Sequence, residues 1–161
     1  NLDQGHVGQI EVRGPNVFKG YWQMPDKTAA ELRDNGFFMT GDLGQMSDDG
    51  YLSIVGRAKD LIITGGFNVY PKEIEDVLNQ ADGVLESAVF GIPDDDFGEA
   101  IVAVLVPNPA VTLDTDKIAN ALAHRLAKFK RPKAYVIVDT LPRNAMGKVQ
   151  KNILRARHAP V

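Results

Sequence analysis

Apolar and polar residues alternate over residues 8–14, where Ile10 and Val12 flank Glu11. A period of two predicts a strand with one buried face. Residues 26–36 follow as a short helix, with Asp26 as the expected N-cap and Asn35-Gly36 as the exit. Residues 37–44 and 51–55 are two further strand candidates, and Asp48-Asp49-Gly50 between them is a hairpin signal. From Leu61 the pattern changes. A short apolar run leads to a Gly65-Gly66 turn, and residues 71–80 then repeat at helical spacing, with Ile74, Val77, Leu78 and Ala81 on one face. Pro71 suits the first helical turn, where no backbone donor is lost, and Glu73, Glu75 and Asp76 complement the positive end of the helix dipole. Strands are expected at residues 86–92, 100–106 and 134–138, and helices at 115–127 and 149–157.

This order of elements defines an α+β fold. A small C-terminal α/β domain, with a short antiparallel sheet flanked by helices, is preceded by a β-rich piece. The residues from Asp60 onward, about a hundred, suffice to bury a core of their own, whereas the stretch before them would be marginal alone. The domain boundary therefore falls near Lys59, dividing residues 1–58 from 59–161. The chain opens on Asn1 and reaches its first strand almost at once, so it reads as a fragment whose start lies inside a sheet.

Composition narrows the function. Of the 161 residues, 44% are hydrophobic and 24% charged, the balance of a folded globular chain. A net charge of -3 and the lack of a long basic stripe argue against a nucleic-acid partner, and the run from Lys128 to Lys133 is expected to border a helix end. Zero cysteines exclude disulfides and thiolate metal sites. No apolar stretch is long enough to span a membrane and no signal peptide is evident, so the expected location is the cytoplasm.

The candidate chemistry centres on Leu141-Pro-Arg-Asn-Ala-Met-Gly-Lys148. Pro142 restricts the entry of this loop and Gly147 relaxes its exit, so the Lys148 ammonium is projected outward. A loop lysine by itself is more often solvated surface than catalyst. A second unusual loop, from Gly56 through Gly65-Gly66 to Asn68, adds weight to an enzyme. Gly65 and Gly66 fit a turn that needs positive φ, and Phe67 belongs either to that loop or to the core. Asp42 and Arg57 are open to the plainer roles of turn cap and strand-end ion pair. Asp94-Asp95-Asp96 is a solvated turn rather than a metal cluster, because consecutive carboxylates diverge. His6, His124 and His158 show no metal spacing, so no metal ligand is assigned. Gly147-Lys148 is not a Walker loop, since Val149 stands where Ser or Thr is required.

Taken in order, Thr40-Gly41-Asp42, Gly56-Arg57-Ala58-Lys59-Asp60, Thr64-Gly65-Gly66-Phe67-Asn68 with Pro71 and Glu73, and Pro142-Arg143 leading to Gly147-Lys148 resemble the late signatures of acyl-adenylate-forming enzymes. That superfamily includes acyl-CoA synthetases, peptide-synthetase adenylation domains and luciferases. Residues 8–14 and Gly20-Tyr21-Trp22 with Pro25 and Thr28 are similar to a further signature, so the resemblance covers nearly the whole chain. Residues 141–152 are most similar to malonyl-CoA synthetases.

The resemblance implies an AMP-forming acid-thiol ligase. A carboxylate attacks the α-phosphate of ATP to give an acyl-adenylate and pyrophosphate, and the thiol of coenzyme A then displaces AMP. By resemblance, Lys148 is catalytic in the first step and Asp42 and Arg57 bind the nucleotide. Lys59 is the hinge of a mobile C-terminal lid, and Gly65, Gly66 and Phe67 line a pantetheine channel for CoA. Mg2+ is expected with ATP, held mainly through phosphates. Residues 1–58 then correspond to the end of a larger N-terminal AMP-binding domain, whose missing remainder is the expected partner surface, and the chain alone is expected to be inactive. The acid is malonate or a related small carboxylic acid. Other acyl- or aryl-CoA ligases and peptide-synthetase adenylation domains are rivals, and a non-catalytic interaction module derived from such a ligase is a rival of another class.

Overall fold

The computed structural model describes residues 2–158. The chain divides into two compact units, Asn1–Lys59 and Asp60–Val161.

The first unit is a three-stranded antiparallel sheet, β1 (Val7–Val12), β2 (Phe38–Met46) and β3 (Leu52–Arg57), with β2 in the centre. The turn joining β2 to β3 is closed by Ser47, whose backbone N–H donates to Tyr51 O and whose hydroxyl contacts Asp49 and Tyr51. One helix, α1 (Pro25–Glu31), lies between β1 and β2 in the chain. It differs from the expected helix at both ends. Met24 occupies the N-cap without a side-chain bond, Pro25 opens the first turn, and Asp26 sits inside that turn rather than capping it. Proline's fixed φ favours the first helical position, which moves the cap one step back from where Asp26 alone would put it. At the other end Leu32 is already extended and bridges Phe38, so residues 33–36 form a turn instead of a last helical turn. Among the described residues of this unit only Gly44 is buried.

The second unit is a sheet covered on both faces. Its elements are β4 (Ile62–Thr64), β5 (Phe67–Val69), α2 (Pro71–Leu78), β6 (Val84–Asp94), β7 (Gly98–Pro107), α3 (Thr115–Arg125), β8 (Ala134–Ile137) and α4 (Lys151–His158). The strands run β5-β4-β7-β6, and β8 also pairs with β7. All neighbours are antiparallel except β8, which lies parallel along Val102–Leu105. Strand β7 reads as an unbroken apolar run, Ala100 to Val106, because both of its faces are buried. Its alternate side chains serve two cores. Ile101, Ala103 and Leu105 join Val89, Ile74, Leu78, Ile118 and Leu122 under α2 and α3. Val102, Val104 and Val106 join Phe90, Leu141 and Leu154 on the opposite face, under α4.

Caps and ion pairs anchor these helices. Pro71 opens α2, as expected. Asp114 caps α3, accepting from the backbone N–H groups of Asp116 and Lys117. Those bonds, the one from Lys117 first, hold the Asp114 carboxyl below its ordinary range. At the far end of α3, Arg131 donates from Nε to Leu126 O and from Nη2 to Ala123 O, placing a cation on the negative end of the helix. Helix α4 begins at Lys151, two residues later than the sequence pattern suggests. Val149 is held in a bridge to Arg143, and Gln150 N donates to Pro142 O, so neither is free to start a helix.

Candidate functional site

In the first unit the structure brings two of the expected residues together. Asp42 on β2 and Arg57 at the end of β3 are cross-strand partners, and Arg57 Nε lies 2.7 Å from Asp42 Oδ1. Gly41, at φ +75°, kinks β2 just before Asp42. The Asp42 N–H donates to Thr40 Oγ1, whose own hydroxyl donates to Ile10 O on β1. The Asp42 carboxylate is thus a strand residue oriented by Arg57, not a turn cap. Its side chain is 22% exposed and Arg57's is 48%, so both face solvent in part. Lys59 follows within a 3-10 turn, Ala58–Asp60, and is the last residue of the first unit.

In the second unit Gly65 and Gly66 form a two-residue loop between β4 and β5, where Thr64 pairs with Phe67. Both are left-handed, at φ +56° and +80°, as a type I′ hairpin requires. Phe67 is on the surface, 53% exposed, and stacks on Phe129 with ring centroids 4.4 Å apart. The two aromatic faces cover each other at the edge of the loop.

Lys148 is exposed, opposite Asn144 on the returning arm of a hairpin spanning residues 142–150 whose turn is Ala145-Met146-Gly147. Gly147 is left-handed at φ +76°, and its N–H donates to Asn144 O. Asn144 organises the rest. Its N–H donates to Lys148 O, and its Oδ1 accepts from the N–H groups of Met146 (3.0 Å) and Lys148 (2.9 Å). One amide side chain therefore satisfies the inside of the loop, the known use of Asn at the head of a turn. Arg143 holds the outside. Nη1 donates to Gly147 O at 2.7 Å, and Nη2 is paired with Glu86 on β6. Among the described residues Lys148 makes no ion pair, whereas the neighbouring cations do. Arg143 stands in a sequence motif, but neither it nor Asn144 has a role assigned from the sequence. Asn144 carried a legible turn signal, but nothing in the sequence joins Arg143 to Glu86, which is 57 residues away.

The remaining candidates have structural employment. Asp94 accepts from Lys133 Nζ and from Phe97 N, and the lysine bond first holds its carboxyl below the ordinary range. In the basic run, Lys130 reaches Glu73 and Arg131 caps α3. No group of three His, Cys, Asp or Glu among the described residues is arranged to hold a metal ion. No helix among them is long and apolar enough to cross a membrane.

Strands β6, β7 and β8 and the loop from Asn144 to Lys148 lie in a segment, residues 73–148, that matches the AMP-binding enzyme C-terminal domain. The chain belongs to the AMP-binding superfamily, and residues 73–148 are its C-terminal domain. It is 46% identical to the indoleacetate–CoA ligase of Aromatoleum aromaticum over 96% of its own length. It is 45% identical to the feruloyl-CoA synthase of an Amycolatopsis species over 95%. Among solved structures, ATP-bound MatB from Rhodopseudomonas palustris matches 98% of the chain at 57% identity, with a TM-score of 0.90. The chain spans only 30%, 31% and 31% of the lengths of these three proteins.

Proposed function

We propose that this chain is the C-terminal portion of an AMP-forming acyl-CoA synthetase and that Lys148 is its adenylation lysine. The observation that carries the reading is the Asn144 hairpin: a built loop, inside the matched domain, that presents an exposed lysine without an ion-pair partner among the described residues.

The chemistry explains the need for that cation. A carboxylate and a triphosphate repel each other, and negative charge gathers at phosphorus as the new bond forms. A fixed ammonium orients both and stabilises that charge. Lysine suits the task because it stays protonated near neutrality and offers a compact charge on a long stem. Asp42, oriented by Arg57, offers a carboxylate that can accept from the two ribose hydroxyls, and Arg57 adds a cation for the phosphate end. Mg2+ accompanies ATP through the phosphates. Lys59 is the hinge about which the second unit turns between half-reactions. The Gly65-Gly66 loop, lacking side chains, admits the pantetheine arm of coenzyme A for the thioester step, with Phe67 at its edge.

The larger N-terminal domain of the parent enzyme packs on apolar residues that the first unit leaves exposed, Trp22 and Ile54 among them. It supplies the acyl pocket and most nucleotide contacts. The isolated chain is accordingly inactive. Malonate is the acid we favour, on the similarity of residues 141–152 to malonyl-CoA synthetases. Relatives named for indoleacetate and ferulate put aromatic acids in the same panel.

The test uses the full-length enzyme with malonate, octanoate, indoleacetate and ferulate, following CoA-dependent AMP release. Lys148→Ala is expected to lower acyl-adenylate formation by about 10²–10³-fold, the scale of losing one transition-state charge contact. Thioester formation from supplied acyl-adenylate should be preserved. Equal losses in both steps would refute the assigned role.

A further inference from the structure

The ammonium of Lys148 is useful only if it is held in place, and its own side chain supplies no rigidity. Its backbone is fixed twice. From inside the hairpin, Asn144 Oδ1 accepts the Lys148 N–H. From outside, Arg143 bridges the carbonyl of Gly147, the residue just before Lys148, to the carboxylate of Glu86. Glu86 lies near the start of β6, the edge strand of the second unit's sheet, opposite Val106 on β7. Arg143 is therefore a strut from a strand of the sheet to the loop that carries Lys148. Its planar fork can make both contacts at once, which a lysine ammonium on a flexible stem does less well. The strut is half-exposed, 43% at Arg143 and 30% at Glu86, so as an ion pair it contributes little to stability. The neighbouring pair, Lys151 with Glu75 at 2.7 Å, is 17% exposed on both sides and ties α4 to α2. A fold needing only an anchor for α4 already has one there.

We infer that Arg143 and Glu86 are positioning residues for Lys148: they set where the ammonium stands during adenylation and touch no substrate themselves. The inference rests on the adenylation reading of Lys148. It predicts a loss confined to one half-reaction and to turnover rather than nucleotide affinity.

The experiment compares Arg143→Ala, Arg143→Lys and Glu86→Ala in the full-length enzyme, using the best acid of the panel above. Arg143→Ala should lower kcat for acyl-adenylate formation by about 10- to 100-fold, the cost of misplacing a catalytic group by an ångström or less. KM for ATP and the thioester step from supplied acyl-adenylate should stay within about twofold, since neither depends on the strut. Arg143→Lys should recover part of the lost kcat, and Glu86→Ala should lose less than Arg143→Ala because the bond to Gly147 survives. A rise in KM for ATP with kcat intact would overturn the inference and make Arg143 a binding residue. Equal damage to both half-reactions, or none to either, would also overturn it. If Lys148→Ala cripples adenylation while Arg143→Ala leaves it unchanged, only the positioning role fails. If Lys148→Ala leaves adenylation intact, the parent reading fails first.

Discussion

Residues 1–59 and residues 60–161 both build antiparallel strands, yet they end with different interiors. The second unit sandwiches its sheet between helices and closes two apolar clusters around β7. The first has a sheet of three strands and a helix of seven residues, and among its described residues it buries one glycine. Apolar content does not separate them, since the first unit contains Trp22, Ile54, Leu52 and Phe18, all on its surface. What it lacks is a second layer. A sheet needs something to pack against before its apolar face counts as a core.

The contrast can be broken by truncating side chains on each side of it. Phe90→Ala, in the second cluster, should cost about 3–5 kcal/mol in denaturant unfolding, with a residual cavity between β6 and α4. A cost below 1 kcal/mol would mean that the clusters are not the source of stability. Acid should act next. Asp94 and Asp114 have folded-state pKa values below their ordinary ones, so the stability they add is full at neutral pH and is lost as pH falls through the carboxylate range. Thermal melts from pH 7 to pH 3 should show the second unit weakening, and Asp114→Asn should flatten that slope. Ile54→Ala should do least. With its side chain 59% exposed, truncation should change the stability of this chain by less than about 0.5 kcal/mol. The same substitution in the full-length protein should cost more, if the larger domain covers β3. An unchanged small value there would remove Ile54 from that interface.

Much of the second unit was legible because its signals are local and redundant. The uninterrupted apolar run of β7, the helical spacing of Ile74, Val77 and Leu78, and Pro71 at the helix start each point the same way. The first unit was harder. Asp26 looked like a cap because the sequence shows its residue type and not the φ of Met24 or the position of Pro25. Helix α1 stops early because Leu32 is drawn into a bridge with Phe38, a tertiary contact that overrides propensity. The late start of α4 has the same origin in Arg143 and Val149. Within the candidate site, Asp42, Arg57, Gly65, Gly66 and Lys148 could be named from their motifs. The strut could not, since pairing Arg143 with Glu86 requires knowing which edge of the sheet the chain returns to.

Trp22 is the only tryptophan in the chain and stands 87% exposed. Its emission should therefore already resemble that of an indole in water, and melting the two clusters of the second unit would leave the signal nearly flat. Fluorescence would miss that transition, which has to be followed through backbone ellipticity instead. For this chain the same indole is a natural probe: a blue shift would report the moment another surface closes over it, without any label being added.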